Sequence, residues 1–359
     1  MKVLFISDEI NIKSGGFMVH KRNLNSLKKH FEIDNIFEYY IEPFQLFSIL
    51  KVLKELRYEN MVGIDKKHIQ KILNIIHENE VSLLWLDTSQ LGQLAKIVKL
   101  HCPNIKVITF FQNVEYDFIR GMFHETHHPK FVYRQWLVKH DEALACQYSD
   151  KIIALNERDA KGIDRLYGRK ADILIPVSLK DDVAPIKIEN ISNQPTGLFF
   201  GSNFPPNVNG IKLFIQRVLP KINMKLIVAG SGMDALRTEF KESDKLEIYG
   251  FVEDLRMMYA STNFMVMPIF SGSGMKVKTA EALKYGKFIF ASTEAIEGYN
   301  VTSSEVCICK TLDVFIKNIN EIGSNIPSYN SSSRDLFLKR YSYYATDKLY
   351  ASLFNSLNL

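Results

Sequence analysis

Residues 267–300 read MPIFSGSGMKVKTAEALKYGKFIFASTEAIEGYN and carry the strongest indication of the fold. An apolar strand leads into a loop of small residues, Ser271 to Gly274, which we expect to open a helix carrying Lys276, Lys278 and Glu281. Glycines let the backbone approach a phosphate closely, and the first turn of a helix offers unpaired N–H groups. The lysines add positive charge, and the carboxylate can accept from a ribose diol. This layout predicts a nucleoside diphosphate site.

Short apolar runs alternate with longer amphipathic patterns along the whole chain, which predicts parallel sheets covered by helices. Most of these runs are wholly apolar, as central parallel strands buried on both faces are. Strands are predicted at residues 3–7, 83–87, 106–111, 151–155, 197–201, 225–229, 246–249, 264–267, 288–291 and 305–309. The expected fold class is α/β, with two doubly wound parallel sheets.

The length of 359 residues suits two domains of about 150 to 200 residues each. The segment 176–195 contains prolines and a charged cluster without an amphipathic period, which is typical of a linker. We therefore predict an N-terminal domain at 1–175, a linker at 176–195 and a C-terminal domain at 196–335. A last helix is predicted at about 336–359 from aromatic and aliphatic residues at helical spacing.

The composition of the chain argues against a membrane-spanning protein, a disulfide-rich protein and a nucleic-acid-binding protein. No apolar run reaches the roughly 18 to 20 residues of a membrane-spanning helix, so we expect a cytoplasmic protein without a signal peptide. Four scattered cysteines are too few for a disulfide framework or a zinc ribbon. The net charge of +5 suits phosphorylated ligands, but no dense basic run indicates a nucleic-acid partner.

Residues 272–282 resemble the donor-binding motif of the retaining GT-B glycosyltransferases called family 4, or glycosyl transferases group 1, in which members read G-x-G-x-[KR]-x-K-x-x-E-A. Three upstream blocks are similar and stand in the same order: FFGSNFPPNVNGIKLFIQRVLP (199–220), LIVAGSG (226–232) and EIYGFVEDLRMMYASTNFMVMP (247–268). The resemblance implies two Rossmann-like domains facing across a cleft, with the last helix packed back on the first domain.

The resemblance also implies roles for the donor-binding residues. Glu281 corresponds to the glutamate that hydrogen-bonds the ribose, and the lysines face the diphosphate. In a regular helix Lys276 and Lys278 point about 200° apart, so both cannot contact one phosphate, and Lys278 is favoured. Ser273 stands where many members carry a first glutamate that contacts the sugar. The predicted donor-binding residues are Ser202, Asn203, Gly272, Ser273, Gly274, Met275, Lys276, Lys278 and Glu281. Asn207 is interpreted as the N-cap of the next helix.

The N-terminal half matches more loosely, and the catalytic residues it suggests are Gly16, Gln112 and Glu115. Gly16 belongs to a glycine pair resembling the family's loop after the first strand, although an ordinary strand-to-helix turn has the same sequence. Gln112 and Glu115 resemble the family's H-N-x-E segment, or they flank a helix with Asn113 as its N-cap. No general base is assigned, because retention in this family is attributed to a donor phosphate oxygen that deprotonates the acceptor.

His124, Glu125 and His128 satisfy the zincin pattern H-E-x-x-H. That motif requires one helix through both histidines, whereas Pro129 disfavours helical geometry at His128. We therefore predict no metal site, and no cofactor is expected.

An apolar stripe, interrupted by Lys51, Lys54 and Arg57, predicts an amphipathic helix that either lies on an anionic membrane or covers a sheet. Its apolar residues are Phe44, Leu46, Phe47, Ile49, Leu50, Leu53 and Leu56.

The sequence thus predicts a hexosyltransferase-like enzyme that moves a sugar, with retention, from a nucleoside diphosphate sugar to a glycan, lipid-linked or protein acceptor. Peripheral contact at the inner face of the membrane is a further expectation, and the oligomeric state is left open. A nucleotide-sugar epimerase of the same fold would need no acceptor. A non-catalytic partner subunit is the third alternative, because Ser273 and Gln112 depart from the family pattern.

Overall fold

The structure is a computed structural model that describes residues 1–7, 15–41, 49–183 and 194–357. The chain forms two compact units, Met1–Pro176 together with Thr346–Leu359, and Val177–Ala345. Within the described ranges, no helix is both long and apolar enough to cross a lipid bilayer.

The first unit is built on a six-stranded sheet in the order β2-β1-β3-β4-β5-β6, with every pair parallel. Its strands are β1 (Val3–Ser7), β2 (Ile36–Tyr40), β3 (Leu83–Leu86), β4 (Lys106–Phe111), β5 (Lys151–Ala154) and β6 (Ile173–Leu174). Its helices are α1 (Gly15–His30), α2 (Ile49–Tyr58), α3 (Lys66–Glu78), α4 (Gly92–His101), α5 (Glu115–Thr126), α6 (Lys130–Tyr148) and α7 (Glu157–Tyr167).

The second unit repeats this arrangement in the order β12-β11-β10-β7-β8-β9, again with every pair parallel. Its strands are β7 (Thr196–Phe200), β8 (Lys225–Ala229), β9 (Leu246–Ile248), β10 (Phe264–Met267), β11 (Phe288–Ala291) and β12 (Val306–Ile308). The helices that follow are α8 (Pro205–Arg217), α9 (Leu255–Ala260), α10 (Val277–Lys284), α11 (Leu312–Ile322), α12 (Ser331–Leu336) and α13 (Tyr343–Asn355).

The predicted fold class is confirmed, because both sheets are parallel and covered by helices. All ten predicted strands are present within one residue at either end. Two strands were missed, β2 and β6, and both lie at an edge of the first sheet. Strand β2 is half exposed and β6 has only two residues, so neither has the wholly apolar run of a central strand.

The final helix belongs to the first unit from Thr346 onwards. Tyr350 stacks on Trp85 with ring centroids 6.2 Å apart, and its hydroxyl donates to the Asn23 side chain. Asp347 accepts from Lys29 at 2.6 Å. The segment from Thr346 thus contributes an aromatic ring to the core of this unit, although it is distant in sequence.

Part of the segment predicted as a linker, residues 177–183, lies in the second unit. The Leu179 backbone N–H donates to the Tyr341 carbonyl at 2.9 Å, and its carbonyl accepts from Tyr343. Arg334 donates to both carboxylate oxygens of Asp181 at 2.8 Å. Residues 184–193 lie outside the described residues.

Candidate functional site

The candidate site of the second unit lies at the carboxyl ends of β7 and β10. These neighbouring strands are where the strand order reverses, because the chain continues from β7 towards β8 on one side and from β10 towards β11 on the other. In open parallel sheets this reversal leaves a crevice in which ligands bind. The loop after β10 and the start of α10 are the segments that the sequence singled out.

The backbone of the loop after β10 depends on two glycines. Gly272 has a φ of 127° and Gly274 a φ of 63°, which are left-handed values that favour glycine. Met275 is buried at 7 % exposure, so its side chain anchors the loop in the core. The Met275 side chain therefore belongs to the core and is not available to a ligand.

Lys276 fastens this loop. Its Nζ donates to the carbonyls of Ser273 and Gly274 at 3.1 and 2.9 Å, and to Glu294 Oε1 at 2.6 Å. The expectation that Lys276 lies in the helix is wrong, because its backbone is extended and α10 begins at Val277. The argument that the two lysines diverge around a regular helix therefore does not apply.

Lys278 lies in the first turn of α10. Its Nζ donates to Asn207 Oδ1 at 2.6 Å and sits 5.3 Å from the centre of the Phe199 ring. The pKa of Lys278 is lowered to about 7, mainly by loss of hydration and also by the neighbouring Lys276 cation, against the opposing effect of Glu281. An anion that binds here therefore favours a protonated ammonium.

Glu281 follows Lys278 by three positions and so lies on the same side of the helix. Burial raises the pKa of Glu281 to about 7 against the opposing effects of Lys284 and Lys278. Burial also raises the pKa of the nearby Tyr259, whose ring stacks on Tyr285 with centroids 4.2 Å apart. Glu281 is thus not an ordinary solvated helix carboxylate.

The loop after β7 closes the other side of the site. Ser202 and Asn203 are exposed, and the Asn203 backbone N–H donates to the Ser231 carbonyl at 2.8 Å. A Cβ atom on Gly230 would lie 1.9 Å from the Gly201 carbonyl oxygen, so the two neighbouring loops touch through their backbones. This leaves Ser202 and Asn203 at the surface beside the lysine.

Asn207 was misinterpreted from the sequence. The N-cap of α8 is Phe204, and Asn207 is the third residue of the helix. Its Nδ2 donates to the Ser202 carbonyl at 3.0 Å while its Oδ1 accepts from Lys278. Asn207 thus connects the loop after β7 with the first turn of α10. The sequence feature that could have indicated this role is its position shortly after a predicted strand.

The three predicted catalytic residues lie in the first unit. Gly16 is in the first turn of α1. Gln112 follows β4, and its Nε2 donates to the Asp87 carbonyl at 3.1 Å. Glu115 is the first residue of α5, and its backbone N–H donates to Glu142 Oε1 at 2.8 Å. The N-cap of α5 is Val114, so Asn113 is not the cap.

A buried polar cluster at the end of β3 was missed by the sequence reasoning. Asp87 is fully buried and accepts from Asn23 Nδ2 at 2.6 Å and Trp85 Nε1 at 3.0 Å, and it contacts His20 Nδ1 at 3.1 Å. The Gln112 side chain contacts the backbone of the same aspartate. The sequence feature that could have indicated this cluster is an acidic residue directly after an apolar strand.

The zincin-like pattern does not lie on one helix. Helix α5 ends at Thr126, and His127 has a left-handed φ of 52°. His124 and His128 therefore do not share the helical face that the motif requires. Among the residues that the structure describes, no group of three or more His, Cys, Asp or Glu side chains could hold a metal ion.

The basic amphipathic helix is present as α2, although Phe44, Leu46 and Phe47 lie outside the described residues. Leu50, Leu53 and Leu56 are exposed by 61, 56 and 41 %. The helix packs through its buried Glu55, which accepts from Arg134 at 3.1 Å and Tyr133 at 2.7 Å on α6.

On α6, Val132 and Trp136 are also exposed, by 57 and 54 %. We call the exposed apolar residues of α2 and α6 the leucine–tryptophan surface: Leu50, Leu53, Leu56, Val132 and Trp136.

Comparisons with known proteins agree with this geometry. Residues 194–322 match the family described as Glycosyl transferases group 1. HepE of Anabaena, solved in complex with UDP-glucose, is similar with a TM-score of 0.69, 13 % identity and coverage of 99 % of this chain and 100 % of that chain. WaaG, a glycosyltransferase involved in lipopolysaccharide biosynthesis, is similar with a TM-score of 0.65, 12 % identity and coverage of 97 and 98 %.

A sequence relative is also similar over most of its length. It is an uncharacterized 44.6 kDa protein in the cps region of Klebsiella pneumoniae, 23 % identical over 295 residues, which are 78 % of this chain and 73 % of the relative. Together these findings confirm the resemblance to group 1 glycosyltransferases and the GT-B fold. The chain is an enzyme, and residues 194–322 in its second half match the group 1 glycosyltransferase domain.

Proposed function

We propose that this enzyme transfers a sugar, with retention, from a nucleoside diphosphate sugar to a glycan, lipid-linked or protein acceptor. The observation that carries the proposal is the place of Lys278, hydrogen-bonded to Asn207, in the first turn of α10 directly after a loop with two left-handed glycines, inside the group 1 domain. HepE, with the same fold, has been solved with UDP-glucose. A capsule- or lipopolysaccharide-type polysaccharide is the favoured product, given the cps-region relative and WaaG.

The diphosphate is the part of the donor that these residues suit best. The leaving group gains negative charge as the sugar–oxygen bond breaks, and fixed positive charge stabilises that change. Lys278 supplies an ammonium, and the first turn of α10, whose N-cap Lys276 makes no side-chain capping hydrogen bond, directs backbone N–H groups along the helix axis. The Lys276–Glu294 ion pair keeps the loop in shape. In this proposal no metal is required.

Glu281 is proposed to accept hydrogen bonds from the ribose diol. A carboxylate makes stronger hydrogen bonds than a neutral acceptor, and partial burial strengthens them further. Gly16, Gln112 and Glu115 are proposed to serve the acceptor or the transferred sugar. In this proposal the acceptor hydroxyl bonds to the sugar on the face from which the diphosphate leaves, so the configuration is retained, and a donor phosphate oxygen takes the acceptor's proton.

The leucine–tryptophan surface supports peripheral contact with an anionic membrane. Helix α2 carries exposed leucines together with Lys51 and Arg57, which combines apolar burial with attraction to anionic headgroups, and Trp136 adds an exposed aromatic ring on α6. We expect Leu53→Asp to reduce cosedimentation with phosphatidylglycerol vesicles. Equal binding of this variant and the parent protein would refute the membrane contact.

The transfer reaction is tested in two stages. Thermal unfolding with UDP-, GDP-, ADP- and CMP-sugars should identify one donor, because a ligand that binds only the folded form raises its stability. Incubation of that donor with glycan and lipid-linked acceptors should then give a product with the donor's anomeric configuration. Conversion of the donor sugar without any acceptor would favour an epimerase. Binding of none of the four, or of only the CMP-sugar, whose leaving group is a monophosphate, would refute the proposal.

A further inference from the structure

The two lysines of the candidate site donate hydrogen bonds to acceptors that differ in charge. Lys276 donates to the Glu294 carboxylate at 2.6 Å, which neutralises its charge. Lys278 donates to a side-chain amide, Asn207 Oδ1, also at 2.6 Å. An amide oxygen accepts a hydrogen bond but carries no net charge. The ammonium of Lys278 is therefore oriented without being neutralised by this partner.

Asn207 is well placed to orient another group. It is 7 % exposed, and both ends of its amide are used, with Nδ2 donating to the Ser202 carbonyl at 3.0 Å. That second bond fixes which end of the amide faces the lysine. A hydrogen bond of this kind limits the rotation of a long lysine side chain, which otherwise loses conformational entropy when a ligand binds.

The neighbouring residues make room for this pair. A Cβ atom at Gly201 would lie 2.8 Å from Lys278 Nζ and 3.2 Å from Asn207 Nδ2, so glycine leaves the space that both groups occupy. The Phe199 ring lies under the ammonium at 5.3 Å. The two charged groups that also act on Lys278 are Glu281 on its own helix and Lys276 in the loop before it.

We propose that Asn207 is a positioning residue of the diphosphate site, a neutral acceptor that orients the Lys278 ammonium towards the ligand and leaves its charge available. This inference rests on the proposed function, because it takes a nucleoside diphosphate sugar as the ligand. Asn207 acts through Lys278, and no contact between Asn207 and the donor is proposed.

The charge of the acceptor at position 207 should decide how Lys278 titrates. An aspartate there would stabilise the ammonium and raise the pKa of Lys278, whereas an alanine would remove the acceptor and lower it. The two variants therefore shift the pKa in opposite directions. Both should weaken donor binding, because Asn207→Asp neutralises the cation and repels the diphosphate, while Asn207→Ala leaves it unoriented.

The experiment compares Asn207→Ala and Asn207→Asp with Asn209→Asp, which adds the same charge at an exposed position of the same helix. Lysine side chains labelled with 13C report the titration of Lys278 without any ligand, and Lys278→Met assigns the signal. Affinity is measured between pH 6 and 9 for whichever of UDP-glucose, GDP-mannose or ADP-glucose binds the parent protein.

We expect roughly tenfold weaker binding at pH 7 for both Asn207 variants, corresponding to one charge-assisted hydrogen bond. The alkaline limb of binding should move to higher pH in Asn207→Asp and to lower pH in Asn207→Ala, with Asn209→Asp unchanged. Shifts in the same direction, or an unaltered Lys278 titration, would overturn the inference even if the donor binds. If no nucleotide sugar binds the parent protein, the proposed function fails and the inference fails with it.

Discussion

Replacing Lys278 by methionine should separate its charge from its packing. Methionine keeps an unbranched apolar side chain against Phe199 but removes the ammonium. Hydrogen bonds to charged groups contribute about 1.5–3 kcal/mol, and the partial exposure of Lys278 suggests a value near 2 kcal/mol. That energy corresponds to about 30-fold weaker donor binding.

The weaker donor binding of Lys278→Met should also appear as a smaller stabilisation of the protein by the donor. A donor at about 100 times its Kd stabilises the parent protein by about 2.7 kcal/mol, and a 30-fold weaker Kd reduces this to about 0.9 kcal/mol. The pH dependence gives a second signature. Since the pKa of Lys278 is about 7 in the free protein and the donor binds the ammonium, affinity should fall as pH rises through 7. Lys278→Met should lose this alkaline limb.

Isothermal titration calorimetry between pH 6 and 9 measures both effects. Lys241→Met is the matched control, because it removes one exposed positive charge from the same unit. An affinity of Lys278→Met within threefold of the parent protein, or an alkaline limb that persists in this variant, would refute the reasoning.

Three further outcomes follow from the structure. Glu281→Gln should weaken binding of a ribonucleotide donor by about tenfold but hardly change binding of its 2′,3′-dideoxy analogue, and equal losses in calorimetry would contradict the ribose contact. Lys276→Met and Glu294→Gln should each weaken donor binding, and the double variant should be no worse than either, because both disrupt one ion pair; additive losses would refute this. Tyr350→Phe should lower the free energy of unfolding of the first unit by about 1–2 kcal/mol in urea, because the Asn23 side chain loses a buried donor, and an unchanged midpoint would contradict that role.

The sequence predicts the central strands well for a physical reason. Parallel strands covered on both faces need wholly apolar runs, and β1, β3 and β10 are buried at every position. Edge strands need no such run, so β2 was not predicted. Glycines that require left-handed backbone are also readable from sequence, as at Gly272 and Gly274.

Side-chain partners were not predictable in the same way. Lys278 and Asn207 are 71 positions apart, and their contact depends on β7 lying beside β10. Lys276 was placed in the helix because nothing in the local sequence marks its extended backbone, with a φ of −82° and a ψ of 110°. Which lysine fastens the loop and which donates to the Asn207 side chain therefore depends on three-dimensional contacts that the local sequence does not contain.

The central claim is that the second unit binds the donor's diphosphate through the loop after β10 and the first turn of α10. Hydrogen–deuterium exchange, with and without the nucleotide sugar that stabilises the protein, tests it most directly. The account predicts slower amide exchange at residues 271–281 and 201–204 when the donor is present near the Kd of the parent protein, with this protection largely lost in Lys278→Met at that same concentration. Unchanged exchange in both segments, with protection confined to the first unit, would contradict it.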